Sequence, residues 1–599
     1  MLSAIKEIGE IALKREGKDG NDLLKNPIDA IVENPNVDKV LSVMFDCQAN
    51  YDKVELSDFD VGKYRIYLYR KGSTNGSDIT PTSKIASKNI KDVLEKTWDK
   101  KIFKWFKDNK GKNGTFNKLY NEIVKSKDKI KEDIEKTLRD ITLSKTSLIM
   151  TVKLGDEFIG EIEEFRNFMV EDALSVEDKP SFSKEGVCSV CGERKDEVFT
   201  TSEIYTFYTL DKECYIASGF ERKNAWKNFP ICKECFLKIE FAKKTIEEDL
   251  SFKFGGLSYY LIPKILTNPQ DQAVEDILNI IKNSKVNIIK EIKDKEKFPN
   301  NEKLVLELLS QFKDDITFYF LFLKKENSAD RIQLLIEDVL PSRISKIVDA
   351  ENKTNKLFKT EDGKDFFNFS LLDEFFQDKT NKFLFEVIDK IFRGGKLDRL
   401  VVYRKLLNVL NNVYYEDNES FLFKTLKSLS LVRFLEELGI LKHGGDRAMT
   451  SHLEAKEHAQ PQNGLNQTIE KRKLDEIYEK FKGLDTPTKR GIFLFGALTQ
   501  WLLSLQAHER DGSMPFLKAL KGLNMNMQDI KGLFPKVVDK FIAYDNRTTF
   551  VKELEKEISA NFLAEQNPKI PIEEINFIFA TGMALYDEVK SFLKEDKNE

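Results

Sequence analysis

Four of the six cysteines in this 599-residue chain form two closely spaced pairs. Cys188 and Cys191 make the first pair, and Cys232 and Cys235 make the second, with two residues between the members of each. This spacing lets both thiolates of a pair face one metal ion, and four thiolates are a typical tetrahedral ligand set for Zn²⁺. Because four sulfur ligands leave no position for water or substrate, the pattern predicts a structural zinc ion as cofactor.

The alternatives to a metal site are a disulfide and a redox centre. Six cysteines are few for a secreted disulfide framework of this length, and a thioredoxin-like centre uses one such pair at a helix start. The 40 residues between the pairs exceed the spacing of about 15–20 residues in compact zinc ribbons, so they must form an insertion. Cys47 and Cys214 are predicted to be buried apolar residues.

The sequence lacks the residue patterns of several classes of nucleic-acid enzyme. All four histidines follow residue 440, which excludes a histidine-rich metal nuclease in the first three quarters of the chain. No G-x-x-x-x-G-K-[ST] phosphate loop occurs, which argues against a P-loop ATPase. Gly444-Gly445-Asp446 matches part of a cyclase or polymerase palm turn, but Arg447 follows where a second acidic residue would help to hold metal. We therefore expect a protein that is not an enzyme.

The net charge of −4 hides an uneven distribution along the chain. Residues 61–155 contain 23 lysines and arginines against 11 acidic residues, a net charge of +12, so the remainder carries −16. A basic block inside an acidic chain is typical of a nucleic-acid-binding face. The alternative is a set of solvated helices in a lysine-rich protein.

Candidate contacts to nucleic acid lie in two loops of this block and in three later clusters. The first loop, residues 71–84, offers Asn75 to read base edges and Lys71 and Lys84 to hold phosphates. The other candidates are basic or amide side chains: Lys110, Lys112, Asn113, Arg222, Lys223, Lys471, Arg472, Lys473, Lys489 and Arg490. Each loop could instead be a plain solvated turn, and acidic neighbours of the last five favour a salt-bridged helix face.

Aromatic residues interleave with basic residues shortly before the second cysteine pair. Phe220, Trp226 and Phe229 lie in this stretch. They could stack on nucleic-acid bases or pack against the metal site, and the sequence leaves both interpretations open.

The periodicity of apolar residues predicts an α+β protein. It consists of a mixed N-terminal α/β region with an inserted four-cysteine zinc-finger segment, a mainly helical region and a C-terminal antiparallel helical bundle. The predicted boundaries are 1–179, 180–240, 241–440, a linker at 441–465, and 466–599. Strands are predicted at 37–47, 64–69, 146–154, 259–263, 317–323 and 332–336, and helices at 90–107, 466–482, 488–507, 526–544, 549–563 and 571–594.

Membrane insertion is not expected. The N-terminus lacks a long apolar segment of the signal-peptide type. The most apolar stretch, residues 492–505, is too short to span a bilayer. We expect a cytoplasmic protein with no membrane partner.

Several segments together are similar to a known protein family. They are Ile5–Glu10, Lys227–Cys235, Lys489–Gln500, Pro515–Leu517 and Leu523–Asn526. In this order, and in a chain of this length, they resemble the large subunit of the type I-B CRISPR Cascade surveillance complex.

The resemblance implies a non-enzymatic subunit that takes part in antiviral defence. Such a subunit lies near the 5′ handle of the guide CRISPR RNA, reads the protospacer-adjacent motif on target double-stranded DNA, and helps to open the duplex and form the R-loop. Its implied partners are the displaced strand, the Cascade backbone and handle-binding subunits, a small subunit and the helicase-nuclease. The C-terminal bundle resembles that small subunit, and an internal start at Met449 would produce a 151-residue copy of it.

Two other functions remain compatible with the residues. One is a zinc-containing polymerase- or cyclase-like large subunit of a related CRISPR effector, which requires an intact acidic palm pair. The other is a zinc-stabilised structural scaffold without nucleic-acid contact, in which mutation of the basic block leaves binding unchanged.

Overall fold

The structure is a computed structural model in which the chain forms two compact units. The described residues are 1–72, 76–174, 182–183, 185–200, 205, 213–216, 219, 221–266, 278–282, 301–326, 329–358, 365–441, 474, 477–478, 480–565 and 568–594. The first unit comprises Met1–Ser251, Tyr259–Lys285 and Tyr319–Glu337; the second comprises Phe252–Ser258, Val286–Phe318 and Asp338–Glu599. The domain boundaries derived from the sequence stay predictions.

A mixed sheet forms the centre of the N-terminal region. Its strands are β1 (Lys39–Phe45), β2 (Tyr51–Asp58), β3 (Ser83–Ile85), β4 (Leu148–Leu154) and β5 (Glu157–Phe158), in the order β2-β1-β4-β3 with β5 beside β4. Strands β1 and β4 are parallel, whereas β2 and β3 are antiparallel to their neighbours. The central pair is almost entirely buried, as expected for strands that have helices packed on the sheet.

Helices precede and follow these strands along the chain. They are α1 (Leu2–Arg15), α2 (Gly20–Lys25), α3 (Ile28–Ile31), α4 (Ile90–Asp92), α5 (Lys104–Asn109), α6 (Gly114–Lys125), α7 (Lys127–Leu138) and α8 (Glu163–Leu174). A π-helical stretch, Val93–Phe103, joins α4 to α5. Trp105, Phe116 and Phe165 form a buried aromatic cluster among these helices, so the basic segment surrounds an apolar core.

The cysteine-bearing segment contains short strands followed by one long helix. The strands are β6 (Phe182–Ser183), β7 (Gly186–Val187), β8 (Arg194–Lys195) and β9 (Val198–Phe199), with β6 paired to β9 and β7 paired to β8. Two 3₁₀ turns, Glu213–Tyr215 and Arg222–Lys227, precede α9 (Lys233–Asp249).

A second sheet follows, with strands in the order β10 (Ser251–Phe254), β11 (Leu257–Ile265), β12 (Ile316–Glu326) and β13 (Ala329–Val339). Strands β12 and β13 are neighbours in this sheet and contain the strands predicted at 317–323 and 332–336. The short connection between consecutive strands is what allows them to pair directly.

From residue 341 onward the described chain is helical. The helices are α11 (Pro341–Leu357), α12 (Ser370–Phe376), α13 (Lys382–Arg393), α14 (Arg399–Val413), α15 (Asn418–Glu437), α16 (Pro487–Glu509), α17 (Met527–Ala543), α18 (Thr549–Leu563), α19 (Ile572–Ala584) and α20 (Tyr586–Lys594), with α10 (Asn301–Ser310) before the β12 strand. Helix α16 packs against α17, α18, α19 and α20, so it is the central helix of the C-terminal bundle.

The predicted fold class is confirmed, and several local predictions are wrong. Residues 61–67 form a 3₁₀ helix and not a strand, because Leu68 adopts a left-handed conformation that turns the chain. Cys47 and Cys214 are exposed, not buried. The last predicted helix is interrupted at Leu585, between α19 and α20. Apart from Leu441, the predicted linker with Met449 and the Gly444–Asp446 turn lies outside the described residues.

Across the parts of the chain that the structure describes, none of the helices combines the length and the apolar character that crossing a bilayer requires.

Candidate metal centre and nucleic-acid interface

The two cysteine pairs meet in the structure. The sulfur atoms of Cys188, Cys191, Cys232 and Cys235 all lie within 4.8 Å of one another. Three of these cysteines are buried and Cys191 is partly exposed. A tetrahedral ion with metal–sulfur bonds of about 2.3 Å requires sulfur atoms about 3.8 Å apart, so the four side chains need only small rotations to hold one ion.

A tight hairpin positions the first pair. Strands β7 and β8 flank it, and the amide of Cys188 donates to the carbonyl oxygen of Glu193 at 2.9 Å. Gly192 donates to the carbonyl oxygen of Cys188 at 2.9 Å and has φ of +73°. Glycine suits this left-handed turn because it carries no side chain.

The start of α9 positions the second pair. Cys232 is the N-cap residue of this helix and Cys235 lies in its first turn. The amide of Cys232 donates to the sulfur of Cys188 at 3.4 Å, which joins the two pairs directly. The bridge between Phe199 and Ile231 and the bond from the Ser189 amide to the Pro230 carbonyl oxygen fix the chain just before the helix.

Helix α9 is itself held firmly against α1. A Cβ atom on Gly9 would lie 2.1 Å from the carbonyl oxygen of Lys238, so only glycine permits this close packing. Lys238 also forms ion pairs with Glu10 at 2.7 Å and with Glu234 at 2.6 Å. Arg70 and Glu240, both largely buried, pair at 3.2 Å. These contacts hold α9, and with it the second cysteine pair, against the rest of the first unit.

The thiols influence one another's protonation. Hydrogen bonds from Cys232 and Cys235 stabilise a thiolate at Cys188 and lower the pKa of that cysteine. The hydrogen bond to Cys188 raises the pKa of Cys232 to about 11, opposed by the contact with Cys235, and the contacts with Cys188 and Cys232 raise the pKa of Cys235. A metal ion binds the deprotonated thiolates, so its binding would release the protons that these thiols share. The donor set and its burial fit a metal ion.

Residues of the insertion lie beside this centre. Lys223 is exposed and pairs with Glu221 at 2.7 Å, which reduces its availability to phosphate. Arg222 begins a 3₁₀ turn. Trp226 is partly buried and lies near Gly186 of β7, so this ring packs beside the hairpin. Phe220 lies outside the described residues.

The first predicted groove loop is largely folded into the protein. Its end forms strand β3, where the Lys84 ammonium donates to the carbonyl oxygen of Pro35 at 3.0 Å. The amide of Gly72 donates to Asp78 at 2.9 Å, which closes the loop. Lys71 is exposed. Asn75 lies outside the described residues.

The second predicted loop is more open. Lys110 and Lys112 are exposed, and their ammonium groups lie 4.5 Å and 4.7 Å from the ring centroids of Tyr120 and Phe168. Asn113 is the N-cap of α6 and accepts from the amide of Thr115 at 2.7 Å. This bond occupies its side-chain oxygen, so Asn113 acts first as a helix cap.

Two further lysines beside this loop were not singled out by the sequence. Lys107 and Lys118 are exposed, and like Lys110 and Lys112 they form no ion pair with a carboxylate among the described residues. We call these four side chains the basic loop cluster: Lys107, Lys110, Lys112 and Lys118. The signal that could have found the two additional members is the spacing of lysines around Gly111 and Gly114.

The basic residues of the C-terminal bundle have structural partners. Lys489 pairs with Asp485 and with Glu574, each at 2.8 Å, and its side chain is only 12% exposed. Arg490 donates to the carbonyl oxygen of Leu484 at 3.1 Å and covers the ring of Tyr478. Lys471, Arg472 and Lys473 lie outside the described residues.

Comparison with protein families gives matches along most of the chain. The N-terminal domain of CRISPR-associated protein TM1802 matches residues 1–171, its central domain matches residues 185–339, and its C-terminal domain matches residues 367–597. A comparison with curated proteins finds no match. The four cysteines fall within the central domain, and the basic loop cluster falls within the N-terminal domain.

Proposed function

Because the chain belongs to the family of CRISPR-associated protein TM1802, we propose that it is the non-catalytic large subunit of a type I-B surveillance complex. In this proposal it acts in the cytoplasm, contacts the guide CRISPR RNA near its 5′ handle and reads the protospacer-adjacent motif on target double-stranded DNA. It then assists duplex opening and R-loop formation and recruits the helicase-nuclease. Its other partners are the Cascade backbone and handle-binding subunits, the small subunit and the displaced strand.

The basic loop cluster supports contact with nucleic acid. Four exposed lysines surround a turn with Gly111 and Gly114, where a Cβ atom would meet no other atom within 4 Å. An open turn can approach a phosphate backbone closely, and lysines without carboxylate partners can bind phosphates without first breaking an ion pair. In RNA-guided recognition, base pairing supplies most of the sequence information, so the protein requires local readout and backbone contact.

The four-cysteine site supports the non-catalytic part of the proposal. Four thiolates would complete the coordination of Zn²⁺, so the ion would stabilise the hairpin and the start of α9 and would not activate water. The metal centre then orients α9 against α1 without taking part in a reaction.

The decisive experiment reverses the charge of the basic loop cluster. The double variant Lys110→Glu/Lys112→Glu is assembled into the surveillance complex, and its affinity for target duplex is measured over a range of salt concentrations. We expect weaker binding and a salt slope reduced by about 0.9 for each phosphate contact that is lost. The matched control is Lys313→Glu/Lys379→Glu, two exposed lysines of the second unit, which changes the net charge equally.

The two double variants separate the possible outcomes. Loss of affinity in the loop variant alone supports the proposal. Equal affinity and equal salt slope in the parent and the loop variant would remove the cluster from the interface and favour a scaffold without nucleic-acid contact.

A further inference from the structure

A cavity of about 680 Å³, lined by both polar and apolar residues, opens in the second unit. Three segments line it: the outer face of α14, the turn 521–524, and the first turns of α19. Cavities of about 300–1,000 Å³ are typical of sites for small ligands and single nucleotides. The metal centre and the basic loop cluster belong to the first unit, so neither of them accounts for this cavity.

One face of α14 presents side chains suited to a nucleotide. Arg404, Asn408 and Asn411 line the cavity at positions i, i+4 and i+7 of the helix, which places them on one face. The amides of Asn408 and Asn411 are exposed and make no hydrogen bond among the described residues. They can donate to and accept from the edge of a base.

An exposed aromatic ring borders the cavity. Tyr415 follows α14 and is 61% exposed. Its hydroxyl oxygen would lie 3.2 Å from a Cβ atom on Gly522, a residue that lines the cavity. An exposed aromatic side chain beside a cavity with both polar and apolar lining is the arrangement on which an unstacked base can stack.

The turn on the opposite side is strained and firmly held. Lys521, Gly522 and Leu523 have φ of +50°, +59° and +56° in succession, a conformation that residues other than glycine rarely adopt. The buried Asn576 side chain fixes Met525, two residues after Leu523: it accepts from the amide of Met525 at 3.0 Å and donates to its carbonyl oxygen at 2.9 Å. Strain that the surroundings maintain is frequent where a fold presents backbone to a ligand.

Both cationic side chains that line the cavity are paired with a carboxylate. Arg404 pairs with Glu573, and Lys521 pairs with Asp529 at 2.6 Å. A free, highly charged anion would gain little from cations that are already paired. A nucleotide within a chain fits better, because it carries a single negative charge and its base can bond to the amides of Asn408 and Asn411 while both ion pairs stay in place.

We propose that this cavity holds one unstacked nucleotide of a single-stranded nucleic acid, with the base against Tyr415 and its edge facing Asn408 and Asn411. The inference rests on the proposed function, because an RNA-guided complex contains two sources of such a strand. These are the guide RNA and the displaced DNA strand.

The test measures binding of fluorescently labelled single strands to the full-length chain, with RNA and DNA of the same sequence in separate arms. The first variant is Asn411→Asp, which places a negative charge in the cavity. Its matched control is Asn412→Asp, the same change at an exposed neighbour on α14 that does not line the cavity. A second pair compares Tyr415→Ala, which removes the ring, with Tyr415→Phe, which keeps it.

We expect Asn411→Asp and Tyr415→Ala to weaken binding about tenfold, since an aromatic ring contributes strongly to the binding of a stacked base. Asn412→Asp should change affinity by less than about twofold because an exposed charge outside the site is screened, and Tyr415→Phe should bind as the parent does. A loss in the RNA arm identifies the guide as the occupant, and a loss in the DNA arm identifies the displaced strand; either supports the inference.

Equal affinities of Asn411→Asp and Asn412→Asp, or an unchanged Tyr415→Ala, would overturn the inference. If the basic loop variant loses duplex binding while the cavity variants bind single strands like the parent, the inference fails and the proposed function stands. If the parent binds neither single strands nor duplex, alone or in the assembled complex, both fail.

Discussion

Gly496 of α16 and Gly582 of α19 allow these two helices to pack backbone against backbone. A Cβ atom on Gly496 would lie 2.1 Å from the carbonyl oxygen of Phe579, and one on Gly582 would lie 1.9 Å from that of Phe493. Both distances are far shorter than any non-bonded carbon–oxygen distance in proteins, so the two backbones can approach this closely only with glycine on both helices. The close packing of these two helices therefore requires glycine at both positions, in addition to the apolar side chains around them.

We expect Gly496→Ala to destabilise the bundle by about 1–3 kcal/mol, because overpacking moves the two backbones apart. The matched control is Gly532→Ala in α17, where a Cβ atom would meet no atom within 4 Å. Since alanine favours a helix interior, this control should be neutral or stabilising by up to about 1 kcal/mol. Thermal unfolding of the two variants measures the difference, and equal melting temperatures would contradict the backbone contact.

Metal analysis should find one zinc ion per chain, held by the four cysteines. Removal by a chelator should lower the melting temperature, because an ion held by the four cysteines would join the β7–β8 hairpin to the start of α9. Cys188→Ser should lose the ion, whereas Cys214→Ser, at an exposed cysteine outside the cluster, should retain it. Substantially less than one ion per chain in the purified parent protein would contradict the site.

The cysteine site could be predicted from the sequence because two short motifs define its ligands. Two C-x-x-C pairs specify the ligand type and number without knowledge of the intervening fold, and the structure brings Cys188 and Cys232 together across 44 residues. The two remaining cysteines were predicted wrongly, because residue type alone does not place a side chain. Cys47 follows a buried strand, yet the chain turns immediately after Phe45 and leaves it exposed.

The nucleic-acid candidates illustrate the opposite case. Charge in the sequence indicated a basic block, but whether a lysine is available depends on its tertiary neighbours. Lys84 donates to the carbonyl oxygen of Pro35 and Lys489 pairs with Glu574, and neither partner is adjacent in sequence. The segment at 64–69 has alternating aromatic residues like a strand, but Thr80 and Thr82 donate to the carbonyl oxygens of Leu68 and Tyr67 and help to hold a turn instead.

Glu351 should make the stability of the second unit depend on pH. This side chain is fully buried in α11, and neither carboxylate oxygen has a hydrogen-bond partner among the described residues. Burial raises its pKa from 4.5 to about 8, opposed by Lys303 and reinforced by Asp365, Glu307 and Glu302. The folded state therefore keeps a proton that the unfolded state releases, and stability falls as pH rises between these two values.

Glu351→Gln should remove this dependence, because the amide stays neutral throughout. Between pH 4.5 and about 8 the parent should lose stability relative to the variant, by at most about 1.4 kcal/mol per pH unit. Melting temperatures across this range measure the difference, with Glu416→Gln at an exposed position as control. Parallel pH profiles of the parent and Glu351→Gln would show that Glu351 is ionised in the folded protein.

An internal start at Met449 is tested by the number of protein products. The parent gene should yield the full chain and a 151-residue product, and Met449→Leu should yield the full chain alone. Two products from both genes would contradict this start site.

A product beginning at Met449 would lack α14 and α15, which pack against α19 in the full chain. The ring of Phe577 stacks on Tyr403 with centroids 4.5 Å apart, and Arg399 lies 4.0 Å from Glu574. Without these partners, α19 would expose an aromatic ring and lose a cation beside a buried carboxylate, both of which are unfavourable.

We therefore expect hydrogen exchange of the α19 amides to be faster in a fragment of residues 449–599 than in the full chain. The amides of α17 serve as an internal control, because that helix packs on α16, which the fragment retains. Exchange that is faster in α19 but unchanged in α17 would show that the small-subunit-like segment needs a surface equivalent to α14 and α15 for full stability. Equal protection of α19 in both proteins would show instead that the segment folds independently, because its contacts with α16 and α20 would then be sufficient.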